Sequence, residues 1–285
     1  MIRSLAASLS SGAAYALFGV CIVLVYRMTG TLNFALTAIG ALSAFAMLAL
    51  VEDGTTVVSA SVVAVALGGA VGAVMGTVFA SWFRNSERLT RSTVTIAVLL
   101  GLLAIGFRIF GDKPRAARPF FPGRFEELGG VRITYDTIMA VAFALAITVA
   151  SSLILHRTRV GIRLRAMAED SATAELAGVP VGALTVVVWG VSGSVAALGA
   201  ILVGPSRPAA FAPLVFLLLP GLAAGLAGRF SRIWPTSATG FLIAFVEAYS
   251  ARFSGISRYR GAIPFLFILV LLLWQRRAEV WDDAR

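Results

Sequence analysis

Few side chains in this sequence could carry out catalysis or hold a metal ion. The chain has one histidine, His156, one cysteine, Cys21, and one lysine, Lys113. A lone histidine beside Arg157 at the end of an apolar run is typical of a membrane-interface residue, so no metal site is predicted. A P-loop needs Gly-Lys-Ser/Thr, because its lysine reaches the terminal phosphates, and Lys113 has no such neighbours. We therefore expect no enzyme activity, no metal and no cofactor on this chain.

One carboxylate, Glu247, lies deep within an apolar run, 233–251. A carboxylate inside a bilayer is costly, so its side chain should face the interior of a helix bundle and find a partner there. Two roles fit this pattern. Glu247 either lines a translocation pathway or forms a structural bond to a neighbouring helix, and the sequence leaves both open.

A second group of charges lies in the segment 156–180. Residues 163–168 are good helix formers. Asp170 or Ser171 can cap a second short helix, and Gly178 is suited to the position just past its end. The pattern predicts a compact pair of short helices projecting from the membrane.

Two interpretations of the 156–180 segment remain. A helical projection outside the bilayer suggests docking to a soluble partner, because a plain connector needs far fewer residues. The alternative is a solvated loop that carries positive-inside arginines. A small excess of arginine on this side of the chain predicts that the segment and the C-terminus are cytoplasmic.

Long apolar runs must position these charged residues. Of the 285 residues, 59% are hydrophobic and 13% are charged, and the mean hydropathy is +0.90. Too few polar residues remain to cover a soluble globule, which excludes a soluble enzyme, a disordered chain and a secreted disulfide scaffold. A transmembrane helix needs roughly 20 apolar residues. The candidate runs are 5–26, 28–51, 54–83, 92–107, 137–155, 176–206, 208–228, 233–251 and 261–275.

These runs predict an all-α, polytopic helical bundle with about 8–9 transmembrane helices. We expect a single transmembrane domain over residues 1–285, because no loop is long enough to form a second one. The net charge of +10 lies in short loops between the runs. Its expected partner is therefore the anionic headgroups of membrane lipid, and no nucleic acid is predicted.

Small residues recur at every fourth position of the third run. At helical periodicity such residues form one stripe, and glycine in that stripe lets another backbone approach closely. The pattern predicts tight helix packing and says nothing about what passes between the helices. The stripe comprises Ala64, Gly68, Gly72, Gly76 and Ala80, and Gly221 and Gly225 repeat the spacing in the seventh run.

Several motifs in this order resemble one transporter family. The stretch from Gly161 to Asp170, followed by Ala174-Glu-Leu-Ala-Gly-Val, is similar to the cytoplasmic loop of permeases from branched-chain amino acid ABC importers. The N-terminal part also resembles this family, and the likeness extends from about residue 9 to residue 275. The further motifs are Gly12-Ala-Ala-Tyr-Ala-Leu, Gly30-Thr-Leu-Asn-Phe-Ala, residues 199–205 and Val246-Glu-Ala.

The sequence departs from the family's pattern at two places. Leu36-Thr37 stands where the family usually has His-Gly, and residues 227–235 replace a Gly-rich loop. Both differences lie near the implied pathway or a cytoplasmic turn. They leave the solute open between a branched-chain amino acid and another small solute such as urea, an amide or an organic acid.

The resemblance implies a permease subunit without its own ATPase, in the bacterial inner membrane. Two separate P-loop ATPase subunits would bind and hydrolyse ATP, and an extracytoplasmic solute-binding protein would deliver the solute. A second related permease, or a second copy of this chain, would complete the pathway. Segment 156–180 would couple the permease to the ATPases through Arg163, Arg165, Glu169, Asp170, Glu175 and Gly178.

For the translocation pathway we predict Tyr15, Asn33 and Glu247. Thr31 or Asn33 could cap the second helix, whose N-terminus favours an anionic group such as a carboxylate. Asn33 could equally serve only as the cap. The alternative function is a secondary transporter or channel. Such proteins often carry intramembrane charge pairs and broken helices at mid-bilayer, whereas this sequence has one deep charge and few Gly or Pro breaks within its runs.

Overall fold

The computed structural model describes residues 2–84, 86–111, 113–115, 117–128, 131–204 and 210–282. These residues form thirteen α-helices, a β-hairpin and a short 3₁₀ turn at Arg260–Ala262. The runs predicted at 176–206 and 208–228 each extend into 205–209, which lies outside the described residues. The helices are α1 (Ile2–Thr29), α2 (Leu36–Glu52), α3 (Val57–Ser81), α4 (Arg88–Phe110), α5 (Tyr135–Arg157), α6 (Arg159–Glu169), α7 (Ser171–Leu176), α8 (Val181–Val203), α9 (Phe211–Val215), α10 (Leu218–Ala227), α11 (Ile233–Ser250), α12 (Ser254–Ser257) and α13 (Ile263–Asp282).

Five of these helices are long and apolar enough to cross a membrane. The chain is thus a mostly helical protein with several candidate spans. Two shorter apolar stretches, Leu36–Glu52 and Phe211–Ala227, lie among them. The five candidates are Ser8–Thr29, Val57–Ser81, Arg88–Phe110, Tyr135–Arg157 and Val181–Val203.

A β-hairpin interrupts the predicted all-α pattern between α4 and α5. Strand β1 (Phe125–Leu128) pairs antiparallel with β2 (Val131–Thr134), and Phe125 lies opposite Thr134. The buried Asp136, in the first turn of α5, accepts a hydrogen bond of 2.7 Å from the Phe120 N–H. This bond joins the segment before the hairpin to the start of α5.

Helix α1 is the centre of the bundle. Its apolar span is buried inside the protein over most of its length, and it contacts α5, α8, α10 and α11. Glycine makes these contacts close. A Cβ at Gly240 of α11 would lie 2.6 Å from the Ala16 nitrogen, and one at Gly19 would lie 2.9 Å from Thr236 Cγ2.

The glycine stripe of α3 lies against α8. A Cβ at Gly68 would lie 2.7 Å from the Gly193 carbonyl oxygen, and one at Gly72 would lie 2.4 Å from the Trp189 carbonyl oxygen. At Gly76 the nearest atom would be Val186 Cα, at 2.8 Å. The two backbones thus touch along three turns, which leaves no room for side chains between them.

The glycines of α10 lie on a different surface. A Cβ at Gly221 would lie 3.1 Å from Phe18 Cβ on α1. A Cβ at Gly225 would lie 3.0 Å from Cε1 of Phe230, in the turn that follows α10. Gly221 therefore lets α10 pack against α1, while Gly225 makes room for the turn.

Helix α2 begins later than the sequence predicts. The expectation that Thr31 or Asn33 caps α2 is wrong. Residues 30–33 are not helical, and the N-cap is Ala35, which makes no side-chain capping bond. The reason is that hydroxyl groups of α4 satisfy the backbone of this segment, so it does not need to form a helix.

The seventh run is a broken helix. α9 ends at Val215 and α10 starts at Leu218, with Phe216 and Leu217 in a turn between them. Pro213 and Pro220 each lie in the first turn of their helix, where a missing N–H is tolerated. Thr37 Oγ1 of α2 donates a 2.8 Å hydrogen bond to the Val215 carbonyl and thereby satisfies one acceptor at the break.

Candidate functional site

A cavity of about 710 Å³ lies among α1, the α9–α10 break, α11 and the start of α13. Tyr15 and Glu247 both line it. The Tyr15 hydroxyl donates a 2.7 Å hydrogen bond to Glu247 Oε2, although the two residues are 232 positions apart. Tyr15 is buried and Glu247 is half-buried. Glu247 thus faces the bundle and has a partner on the central helix, as a carboxylate in an apolar segment requires.

The same cavity has a basic residue and hydroxyls that sequence reasoning missed. Arg260 lines it from the turn before α13, and Ser8 and Ser11 line it from α1. Arg260 could not be recognised because it is one of several arginines in a short loop. In the sequence Ser8 and Ser11 are ordinary small residues of an apolar run.

The broken helix forms the apolar wall of this cavity. Pro213, Phe216, Leu217, Leu219 and Pro220 line it, and Phe216 is 64% exposed. An acidic group, a basic group and apolar side chains therefore share one concave surface. Such a surface can bind a molecule that carries both charges and an apolar group.

Asn33, the third predicted pathway residue, does not line this cavity. It is 2% exposed, and its Oδ1 has no hydrogen-bond partner among the described residues. The structure thus brings Tyr15 and Glu247 together and leaves Asn33 in the interior near α4.

Residues 30–35 are held by α4 through its first two turns. Ser92 Oγ accepts a 3.3 Å hydrogen bond from the Leu32 N–H, and Thr95 Oγ1 accepts one of 3.2 Å from the Phe34 N–H. Thr95 Oγ1 also donates to the Leu32 carbonyl at 2.8 Å. Arg91 Nη1 donates to the Thr29 carbonyl at the end of α1. These hydroxyls replace the hydrogen bonds of a helix turn.

The segment 156–180 forms two short helices, α6 and α7. Asp170 is the N-cap of α7, and its Oδ1 accepts the N–H groups of Ala172 and Thr173 at 2.9 and 3.2 Å. At the other end Gly178 has φ +83°. Its N–H bonds the Glu175 carbonyl while the Val179 N–H bonds the Ala174 carbonyl, so a left-handed residue closes the helix.

The predicted coupling residues differ in their surroundings. Arg165 donates to the Leu155 carbonyl and so fixes α6 to the end of α5. Glu175 forms an ion pair with Arg84, in the turn between α3 and α4. Arg163 and Glu169 are exposed.

Leu176 lies within the segment expected to face a partner, and the structure places it in α7 rather than at the start of the apolar run 176–206. It is 91% exposed at the end of α7, at the tip of the α6–α7 projection. Its side chain is thus accessible to a molecule that docks at this end of the segment.

We expect protonation of Asp170 to loosen α7 in acid. The hydroxyl and N–H of Thr173, with the Ala172 N–H, hold the pKa of Asp170 below its ordinary value. Since the folded pKa is lowered, the stabilisation is present above the unfolded pKa of about 3.9 and is lost as the pH falls through the folded value. Hydrogen exchange of a peptide covering 165–180, corrected for intrinsic rates, should show this loss.

Asp170→Asn is the matched control for the Asp170 titration. Asparagine caps a helix about as well as aspartate but does not titrate. Any acid effect through the Arg84–Glu175 pair would be common to both proteins. An identical pH dependence in the two proteins would show that Asp170 is not the titrating group.

Five candidate membrane-spanning helices and a cavity between helices are features of a helical membrane protein. Residues 4–272 match the family model for the permease component of branched-chain amino acid transport systems. The chain therefore belongs to this family.

Two relatives are similar in sequence to this chain over nearly its whole length. It is 26% identical to the high-affinity branched-chain amino acid transport system permease protein BraD of Pseudomonas aeruginosa, covering 95% of this chain and 93% of that protein. It is 23% identical to the permease protein LivH of the corresponding high-affinity system of Escherichia coli K12, covering 92% and 89%. The solved structure of PsaBC from Streptococcus pneumoniae in complex with Fab is similar in fold, with a TM-score of 0.50 and 15% identity over 95% of this chain and 88% of that one.

Proposed function

We propose that this chain forms the translocation pathway of an ABC importer for a zwitterionic amino acid with an apolar side chain. The observation that carries the proposal is the cavity in which Glu247 and Arg260 share a surface with the apolar α9–α10 break. A carboxylate suits an ammonium group, a guanidinium suits a carboxylate, and apolar walls suit a branched side chain. Urea, a simple amide or an organic acid does not combine an ammonium group, a carboxylate and an apolar side chain.

We propose that the chain crosses a bacterial inner membrane nine times. The crossings are formed by α1, α2 with the non-helical segment 30–35 before it, α3, α4, α5, α8, the α9–α10 pair, α11 and α13. The α6–α7 segment and the C-terminus then lie in the cytoplasm, and the cavity opens toward the opposite side. An extracytoplasmic binding protein could release its solute directly into a cavity with this orientation.

We propose that the α6–α7 segment docks onto one of two ATPase subunits. The exposed Leu176 at its tip would enter a groove of the ATPase, and Arg165 would transmit the movement to α5. The pathway would be completed by a second permease chain, which is either a related subunit or another copy of this one. ATP would be bound and hydrolysed on the ATPase subunits alone.

Uptake by proteoliposomes tests the transport proposal. The chain is reconstituted with its ATPases and partner permease, and the binding protein is added outside. We expect ATP-dependent accumulation of leucine, isoleucine or valine, with little uptake of urea, acetamide or a keto acid. Accumulation driven by an ion gradient without the ATPases would overturn the importer proposal in favour of a secondary transporter.

Gly178→Val tests the coupling proposal. Valine should disturb the end of α7, because a β-branched side chain is strained at φ +83°. No atom lies within 4 Å of the added Cβ, so the expected defect comes from the backbone alone. Substrate-stimulated ATP hydrolysis in the assembled complex should fall several-fold, or the ATPases should dissociate, while membrane insertion survives.

Gly182→Ala is the matched control for Gly178→Val. Gly182 lies in the first turn of α8, and an added Cβ there also has no atom within 4 Å. It should assemble and hydrolyse ATP like the wild type. If Gly178→Val assembled and transported like the wild type, the coupling proposal would be wrong and the α6–α7 segment would be only a solvated connector.

A further inference from the structure

A second cavity lies at the opposite end of the bundle from Glu247. It has a volume of about 380 Å³ and lies where the ends of α1 and α5 meet the start of α11. Its polar lining consists of Arg27, Ser152, His156, Ser231 and Arg232, and the indole of Trp234 forms part of the wall. Neither arginine forms an ion pair within the described part of the chain, and no carboxylate is among the described lining residues.

The turn between α10 and α11 positions the two arginines. Arg229 and Phe230 both have positive φ, 52° and 49°, which is uncommon for residues with a side chain. This turn presents the Ser231 carbonyl to Arg27, whose Nη1 donates a 3.1 Å hydrogen bond to it. Arg232 then follows as the N-cap of α11. The strained turn thus places a second guanidinium at the cavity where Arg27 is already held.

The surroundings of this cavity indicate a lipid rather than a soluble anion. Val149 and Leu153 of α5 are exposed and share a helix face with Ser152 and His156. They lie further from the end of α5 than His156 does, and so deeper in the bilayer. Trp234 is 54% exposed, as is common for tryptophan at the level of the headgroups.

We propose that this cavity binds the phosphate of an anionic phospholipid from the leaflet at the α6–α7 end of the bundle. Arg27 and Arg232 bind the phosphate oxygens, since guanidinium groups bind phosphate with strong charge-assisted hydrogen bonds. Ser152 and His156 contact the headgroup. The acyl chain runs along Val149 and Leu153. The bound lipid joins α1, α5 and α11, and α1 and α11 also line the Glu247 cavity.

Fluorescence quenching in detergent micelles tests the site. Brominated phosphatidylglycerol should quench Trp234 in the purified full-length chain, and Trp234→Phe gives the background from the other tryptophans. Brominated phosphatidylcholine should need a concentration at least 10-fold higher to reach the same quenching. Arg232→Gln should weaken phosphatidylglycerol binding about 10-fold or more, the effect of one charge-assisted contact.

Arg276→Gln is the matched control for Arg232→Gln. It removes one exposed positive charge near the end of α13 and does not line the cavity. Arg27 also holds the turn through its hydrogen bond to the Ser231 carbonyl, so Arg27→Gln could disturb the turn itself. Arg232→Gln is therefore the main test, and Arg27→Gln is a supporting one. If Arg232→Gln and Arg276→Gln weakened phosphatidylglycerol binding equally, the lipid would be held by surface charge in general, and the proposed site would be wrong.

Inorganic phosphate and glycerol 3-phosphate distinguish the two sources of a phosphate group. We expect them to compete with phosphatidylglycerol only at concentrations at least 100-fold higher, because they gain nothing from Val149 and Leu153. Competition at equal concentration, lost in Arg232→Gln, would overturn the lipid assignment and make this a site for a soluble phosphate.

Discussion

Glu247→Gln is expected to fold and assemble like the wild type and to lose most amino acid uptake. Glutamine keeps the shape of the side chain and can still accept the Tyr15 hydrogen bond, which is 2.7 Å long in the wild type. It cannot supply the charge that an ammonium group needs. A hydrogen bond to a charged group is worth about 1.5–3 kcal/mol, which corresponds to a reduction of roughly 10- to 100-fold in uptake at low substrate concentration. The uptake of radiolabelled leucine by proteoliposomes measures this reduction.

Tyr15→Phe extends the test of this pair. Phenylalanine fits the same buried position and removes only the hydroxyl, so we expect a smaller reduction than in Glu247→Gln. The double variant should be less impaired than the product of the two single effects, because the residues act as one unit. Glu127→Gln in the hairpin, where Glu127 pairs with Arg132 away from the cavity, is the control and should transport normally. Normal uptake in Glu247→Gln would leave Glu247 as a structural residue.

Gly72→Ala is expected to destabilise the bundle, because it places a carbon between two backbones that are in contact. The added carbon would lie 2.4 Å from the Trp189 carbonyl oxygen and 3.1 Å from its carbon, and both are backbone atoms. They cannot move aside unless α3 and α8 separate. Overpacking of this kind costs about 1–3 kcal/mol or more, so the thermal midpoint in detergent should fall by several degrees. Gly72→Leu should fail to give a monodisperse protein.

Gly101→Ala is the matched control for Gly72→Ala. Gly101 lies within α4, and a Cβ there would have no atom within 4 Å. Alanine should be neutral or slightly stabilising, by up to about 1 kcal/mol, because it favours the helix. Equal midpoints for the two variants would mean that α3 and α8 are not in backbone contact in the native protein.

Features that depend on nearby residues could be predicted from the sequence. The apolar runs predict most of the long helices, and spacing by fours predicts which face of α3 packs closely. Asp170 and Gly178 could be recognised because a helix cap is a local interaction. The hairpin was not predicted, although it has a local signal: Gly-Gly at 129–130, outside the described residues, separates two strand-like stretches.

Features that join distant parts of the chain could not be predicted. The expectation that Glu247 has a partner was general, and nothing in the sequence pointed to Arg260 as its neighbour in the cavity. The entry to α2 was missed because Ser92 and Thr95, which satisfy its backbone, are about 60 positions away. Read alone, the run 28–51 offers Thr31 or Asn33 as a helix cap and gives no sign of these contacts.

The non-helical segment 30–35 before α2 imposes an order on biosynthesis. The N–H groups of Leu32 and Phe34 and the carbonyl of Leu32 find their partners on α4, which leaves the ribosome after α2 and α3. Until then these groups cannot be released into lipid without a large desolvation cost. The N-terminal helices must therefore remain beside the insertion machinery, or keep this segment near water, until α4 arrives. A nascent chain truncated before residue 88 should stay accessible to a water-soluble reagent at position 33, and one extended past residue 110 should become protected.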